Sequence, residues 1–298
     1  MAFSVERHET ARAAVRRVVS ESLDDALERL TLYGSPGHDD TKAVHEIRKR
    51  CKEVRGVCDL VRPKVGEDAK AVASLCRGAA RGLAGSRDAT VAAATLANMR
   101  DDWGVDTSSI DIHAVVSSLA DAKVDSRDID AARTMLSNAR QMADEWKLGK
   151  GFGSLRAGLE ETYSKGLGRL TVVLDGADDE ALHRLRTSAK RLWYQVRLLQ
   201  SIAPSVLAPM VDQLDGIGEA IGDHHDLYVL RGALLIEPDE DRRRVAEAAK
   251  EIQAHLESMA VAAGLRVYAE SPPAFVERVA TYWRLARDEI PDVVFPGD

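Results

Sequence analysis

"VHEIRKRCKEVRGVCDLVRP", residues 44–63, is basic, apolar and periodic at once. At 100° per residue, Ile47, Cys51, Val54, Cys58 and Val61 fall on one side of a helix. His45, Arg48, Lys49 and Lys52 fall on the other as an i, i+3, i+4, i+7 stripe, and Arg55 prolongs it. His45 to Lys52 covers about 10 Å of helix at 1.5 Å rise per residue. The spacing predicts an amphipathic helix. The breaker "YGSPGHDD" (33–40) precedes it, Asp39, Asp40 and Thr41 offer caps, and Pro63 is the expected stop.

The same pattern returns 138 residues later in "LHRLRTSAKRLWYQVRLL" (182–199). His45 falls on His183, Arg48 on Arg186, Lys52 on Lys190 and Leu60 on Leu198. Further on, Gly78 falls on Gly216, Asp88 on Asp226 and Val91 on Val229, without a gap. Apolar positions match in kind, and Trp146 and Trp283 sit at nearly the same offset. In the second copy His183, Arg186, Lys190, Tyr194 and Arg197 share one face, while Leu185, Ala189, Leu192, Val196 and Leu199 share the other. The chain therefore reads as two copies of one helical bundle, related by an approximate two-fold. The glycine-rich "KLGKGFGS" (147–154) joins them, giving units 1–150 and 151–298. Other helical runs are expected at about 5–33, 67–85, 88–101, 109–121 and 126–148. No alternating strand pattern bounded by hairpin turns occurs, so the expected class is all-α.

The 298 residues are enough for one large or two medium domains with their own cores. With 45% hydrophobic and 30% charged residues the chain is globular, and its palette favours helix. The three cysteines, Cys51, Cys58 and Cys76, fit neither a zinc motif nor a disulfide framework, and are expected to be small buried hydrophobes. Neither a signal peptide nor a run of roughly 18 uncharged apolar residues is found, so the expected location is the cytoplasm, away from the membrane.

Overall the chain is acidic, with a formal charge of −7. Yet seven of the residues from 41 to 62 are Lys or Arg against three acids. A solvated charged face is the ordinary explanation for such a helix. Three features argue against it here. Solvated faces mix signs to form i, i+4 pairs, whereas these stripes are nearly pure cation. Clustered cations repel unless an anion neutralises them. The pattern also occurs twice, led by His each time. An extended polyanion fits all three: Arg forks two phosphate oxygens, Lys adds a point charge, and His donates a hydrogen bond. Two facing stripes would make a positive channel, and the acidic remainder would keep the protein soluble and discourage indiscriminate nucleic-acid binding.

These two stretches resemble the CHAD domain, the conserved-histidine α-helical domain, each opening on His-x-x-Arg with a basic residue four positions after the Arg. "LCRGAARGLAGSRDATVA" (75–92) and "LDGIGEAIGDHHDLYVL" (214–230) resemble that family's helix-loop-helix region. The resemblance spans the chain and implies a stand-alone domain of two four-helix bundles about a pseudo-two-fold axis, with a basic central pore. It also implies non-catalytic binding of inorganic polyphosphate and association with polyphosphate granules, with no cofactor. Carried over, His45, Arg48, Lys49, Lys52 and Arg55 would line the pore from the first copy, and His183, Arg186, Lys190, Arg191 and Arg197 from the second. Tyr194 shares that second face. Arg87 and His225 stand at matching positions and are further candidates, as are Arg16 and Arg156 in the leading helices. Thr187 stands at the position of Lys49, Ser188 at that of Arg50 and Trp193 at that of Arg55. The second stripe is thus less basic, and the first half is expected to contribute more.

The rival reading is a metal-dependent phosphohydrolase acting through His224, His225 and Asp226 in "GDHHD" (222–226). Adjacent histidines point about 100° apart on a helix and do not easily share an ion. The first copy has Ser86, Arg87 and Asp88 there, and arginine repels a metal. Helix capping by Asp223 and Asp226 is the expected role instead. "GKGFG" (149–153) lacks the spacing of a phosphate loop. With 5% aromatics, a base-stacking platform is not expected, so nucleic acid is not the expected partner.

Overall fold

The computed structural model describes residues 3–6, 8–84, 88–116, 125–176, 178–236 and 238–287, and every regular element among them is helical. The helices are α1 (Ala11–Leu32), α2 (Asp40–Val65), α3 (Glu67–Gly82), α4 (Asp88–Asp101), α5 (Ile112–Val116) and α6 (Ser126–Asp144) in the first half. They are followed by α7 (Arg156–Asp175), α8 (Asp179–Leu199), α9 (Pro204–Leu234), α10 (Glu240–Val267) and α11 (Pro272–Leu285). α1, α2, α3 and α6 pack in a ring, each against the next, and α7, α8, α9 and α10 form a second ring. α2 also touches α7 and α8, α4 lies on α9, and α11 lies on α7.

Each ring closes because its helices bury one apolar stripe. In α2 the buried set includes Ile47, Cys51, Val54, Cys58 and Val61, and in α8 Leu185, Ala189, Leu192, Val196 and Leu199. A fully buried branched aliphatic side chain contributes roughly 1.5–3 kcal/mol. All three cysteines are free and buried, filling space as small hydrophobes. Buried apolar residues of the two rings form one continuous cluster, which includes Trp146 and Trp283.

The helix ends follow side-chain chemistry. Thr10 caps α1, Asp39 caps α2, Asp178 caps α8 and Asp239 caps α10, each accepting from a backbone N–H three residues on. Three expectations change. α1 starts at Ala11 rather than near residue 5. Before it, a non-helical strap donates from the Val5 N–H to the Leu198 carbonyl at 2.8 Å. α2 passes through Pro63 and ends two residues later. Gly66 terminates it at φ 76°, and its N–H donates to the Arg62 carbonyl. The run expected at 109–121 is the short α5, with 117–124 outside the described residues.

A further difference lies in the region resembling a helix-loop-helix. α3 and α4 are separate helices, but α9 runs unbroken through the equivalent positions. Gly82 and Gly85 of the first half are Ala220 and Asp223 in the second, which leaves Gly222 as the one glycine across the equivalent stretch, and the helix continues through it. Asp223 and Asp226 consequently lie mid-helix and cap nothing.

Candidate anion-binding cavity

α2 and α8 cross where Gly56 meets Tyr194. A Cβ on Gly56 would stand 2.5 Å from the Tyr194 Cβ, so only glycine permits this approach. Those two positions are counterparts at the 138-residue offset. Ion pairs bracket the crossing: Arg197 Nη1 lies 3.6 Å from Glu53 Oε1, and Arg191 Nε lies 3.4 Å from Asp59 Oδ2. Glu53 and Arg191 are counterparts, as are Asp59 and Arg197, so the offset exchanges one pair for the other. Such an exchange is what an approximate two-fold through the crossing would produce.

Beside the crossing lies a cavity of about 790 Å³. From α2 it is lined by His45, Arg48, Lys49, Lys52, Arg55, Gly56 and Asp59. From α8 the lining is Arg186, Thr187, Lys190, Arg191, Trp193 and Tyr194, with Ala84 and Val91 completing the wall. Seven Lys or Arg residues thus face one carboxylate. The stripes converge because each helix turns its apolar side into its own ring and is left with its basic side at the junction.

Some of these cations are already partnered. Lys49 Nζ is 3.6 Å from Glu46, Lys190 pairs with Asp215 of α9, and Arg191 pairs with Asp59. Arg186 Nε donates to the Gly218 carbonyl at 3.0 Å. Lys190 and Arg186 lie along α9 over glycines. A Cβ on Gly218 would stand 2.1 Å from Lys190 Cε, and one on Gly222 would stand 3.2 Å from Arg186 Nη2. Trp193, at the position of Arg55, holds cations by its ring: Lys190 Nζ is 5.1 Å and Arg197 Cζ 4.9 Å from the centroid.

Lys52 feels both stripes. Its side chain keeps solvent contact, yet partial desolvation and then repulsion from Arg48, Arg186, Lys190 and Arg55 hold its pKa below the ordinary lysine range. Burial lowers that of Arg55, with Arg77 and Arg191 adding repulsion. Protonated cations crowded against one another stabilise an incoming anion.

The other sequence candidates lie elsewhere. His183 and His225 line a smaller hollow of about 160 Å³ with Asp179, His224 and Asp226, and Arg186 stands in the lining of both this hollow and the main cavity. His224 is buried, and burial lowers its pKa, favouring the neutral ring. No group of three or more His, Cys, Asp or Glu among the described residues is arranged to hold a metal ion. Arg197 is turned to Glu53 and to the Phe3 and Trp193 rings, not into the cavity. Arg16 donates to the Asp144 and Trp146 carbonyls, and Arg156 pairs with Glu277 at 2.7 Å. Neither lines the cavity, since Arg16 is held at the end of α6 and Arg156 against α11. Arg87 lies outside the described residues. Gly56, Asp59, Ala84 and Val91 line the wall beyond the sequence candidates, and Thr187 and Trp193 line it at the positions equivalent to Lys49 and Arg55. Asp59 was findable, because it continues the stripe of Lys52 and Arg55 by one turn.

The family profile of the CHAD domain matches residues 2–97 and 23–235. Among solved structures, the crystal structure of the CHAD domain from the plant Ricinus communis is similar at 19% identity and a TM-score of 0.50. That match covers 98% of this chain and 96% of the other. At that identity the likeness concerns the fold. No curated protein matches the chain.

Proposed function

This chain belongs to the CHAD domain family, and from that premise we propose that it binds inorganic polyphosphate, or a similar phosphate-rich polyanion, without catalysing a reaction on it. The observation that carries the reading is the convergence of two basic stripes on one cavity, seven Lys or Arg against a single Asp. A linear polyphosphate would place a charge on every phosphate against Arg forks and Lys ammonium groups. Its negative charge would relieve the repulsion around Lys52. Trp193, clamped between cations, would hold Lys190 in place rather than stack on a base. Residence in the cytoplasm and attachment to polyphosphate granules belong to the same proposal. No helix among the described residues is long and apolar enough to cross a membrane.

The test is calorimetry on the wild type and on a variant carrying Arg48→Ala, Lys52→Ala, Arg186→Ala and Lys190→Ala. The variant is expected to lose polyphosphate affinity by more than about a hundredfold, four phosphate contacts being removed. Its helical circular dichroism should persist. Equal affinities would remove the cavity as the binding site. Release of phosphate from polyphosphate with Mg²⁺ or Mn²⁺, dependent on His224, His225 and Asp226, would overturn the non-catalytic reading.

A further inference from the structure

The two sides of the cavity continue differently along the helices that back them. α3 packs on α2, and α9 packs on α8. The 138-residue offset that aligns α2 with α8 also sets Arg77 on Asp215, Arg81 on Glu219 and Ala84 on Gly222. These positions are spaced i, i+4 and i+7, so each trio marks one stripe of its helix, continued for Ala84 just past the end of α3. Both stripes lead to the site: Ala84 lines the cavity, and Gly222 lies against Arg186. In the second half Asp215 takes up the charge of Lys190. In the first half the counterpart of Lys190 is Lys52, and the counterpart of its carboxylate partner is Arg77, another cation. The side chains of Arg77 and Arg81 are exposed, and neither has an ion pair among the described residues.

We propose that a polyanion longer than the cavity leaves it along α3 only, over Arg77 and Arg81, because Glu219 and Asp223 repel it from the equivalent path along α9, where Asp215 is already paired with Lys190. The inference rests on the polyphosphate reading above and adds a direction and two contact residues to it. The charge of Arg77 reaches the cavity, since it is among the causes that lower the pKa of Arg55. On the α9 side acids crowd one another: burial raises the pKa of Asp223, and Asp226 and Glu219 raise it further. A phosphate chain there would meet like charge.

The experiment compares tripolyphosphate with long-chain polyphosphate by calorimetry on the full chain. Arg77→Ala with Arg81→Ala is expected to lower the ratio of long-chain to tripolyphosphate affinity about tenfold. The long-chain salt slope should become shallower by about 1.4, the worth of two released counterions. Glu219→Arg is expected to raise the long-chain affinity by opening the second path. Both variants change exposed helix positions, and a thermal melt confirms that they fold. A ratio unchanged by the Arg77 and Arg81 substitutions, or no gain from Glu219→Arg, overturns the directional path while leaving the cavity reading intact. Wild-type protein that binds neither probe overturns both.

Discussion

Lys52 sits where function and stability pull in opposite directions. Its ammonium is surrounded by Arg48, Arg55, Arg186 and Lys190, and its pKa is lowered by lost solvation and then by those charges. The folded state therefore disfavours the protonated form. Replacing Lys52 with Met is expected to raise the Tm at neutral pH while weakening polyphosphate binding about fivefold, the share of one phosphate contact. The unfolded chain holds this proton more tightly than the folded one, so wild-type stability rises as pH climbs through the lowered pKa toward the ordinary lysine range. The advantage of the Met variant should be full below that window and fade across it. Thermal melts at a series of pH values check the sign, and an advantage that grows with pH would contradict it. Glu53 is the opposite case, a carboxylate with no exposed surface held by Arg50 at 2.8 Å and by Arg197 at 3.6 Å. Glu53→Gln is expected to cost about 3 kcal/mol, because Arg197 loses its carboxylate partner and Arg50 is left with Asp25 alone. Denaturant unfolding measures it. The cations of α2 were legible in the sequence because a 3.6-residue period sorts a single helix into faces. The partners of the cations were not. Asp215 and Asp59 reach Lys190 and Arg191 from neighbouring helices, and Glu53 reads as an ordinary surface acid until the α2–α8 crossing encloses it.

Among the helices, glycines decide which approaches are possible, and two of them separate packing from positioning. At Gly158 of α7 a Cβ would fall 1.9 Å from the Leu60 carbonyl oxygen, which is backbone and has no easy way to yield. Gly158→Ala is expected to destabilise the protein by about 3 kcal/mol, as overpacking against a fixed wall does. At Gly218 of α9 the Cβ would meet the flexible end of Lys190 instead. Gly218→Ala is expected to leave the Tm unchanged or higher, alanine being the better helix former. It should lower polyphosphate affinity about fivefold by displacing one ammonium. Parallel melts and titrations of the two variants distinguish the roles, and a loss of stability in both would make Gly218 merely structural. The helices themselves were legible from periodicity and from caps such as Asp39 and Asp178. Their ends were less so. Pro63 is tolerated in the last turn of α2, and the break between α3 and α4 has no equivalent in α9, where Ala220 and Asp223 replace two glycines.

For the molecule as a whole, the question is whether an anion responds to the net charge or to the field inside the cavity. The chain carries −7 overall while the cavity lining carries seven Lys or Arg and one Asp. Ionic screening has a length of about 8 Å at physiological salt, so carboxylates on the outer surface act weakly on a ligand in the cavity. Two substitutions that each remove one negative charge separate the possibilities. Asp59→Asn acts in the lining and releases Arg191, whereas Glu247→Gln acts on the exposed face of α10. Both change the net charge by the same amount. If the cavity field governs binding, Asp59→Asn raises polyphosphate affinity about fivefold and steepens the salt slope by about 0.7, one more counterion being released. Glu247→Gln should leave both unchanged. Equal gains from the two would mean that the acidic exterior acts as a uniform repulsive shell and that the converging stripes have no privileged field. A gain confined to Asp59→Asn would explain how an acidic protein attracts a polyanion: its positive charge is gathered where two helices cross, and its negative charge is spread where salt screens it.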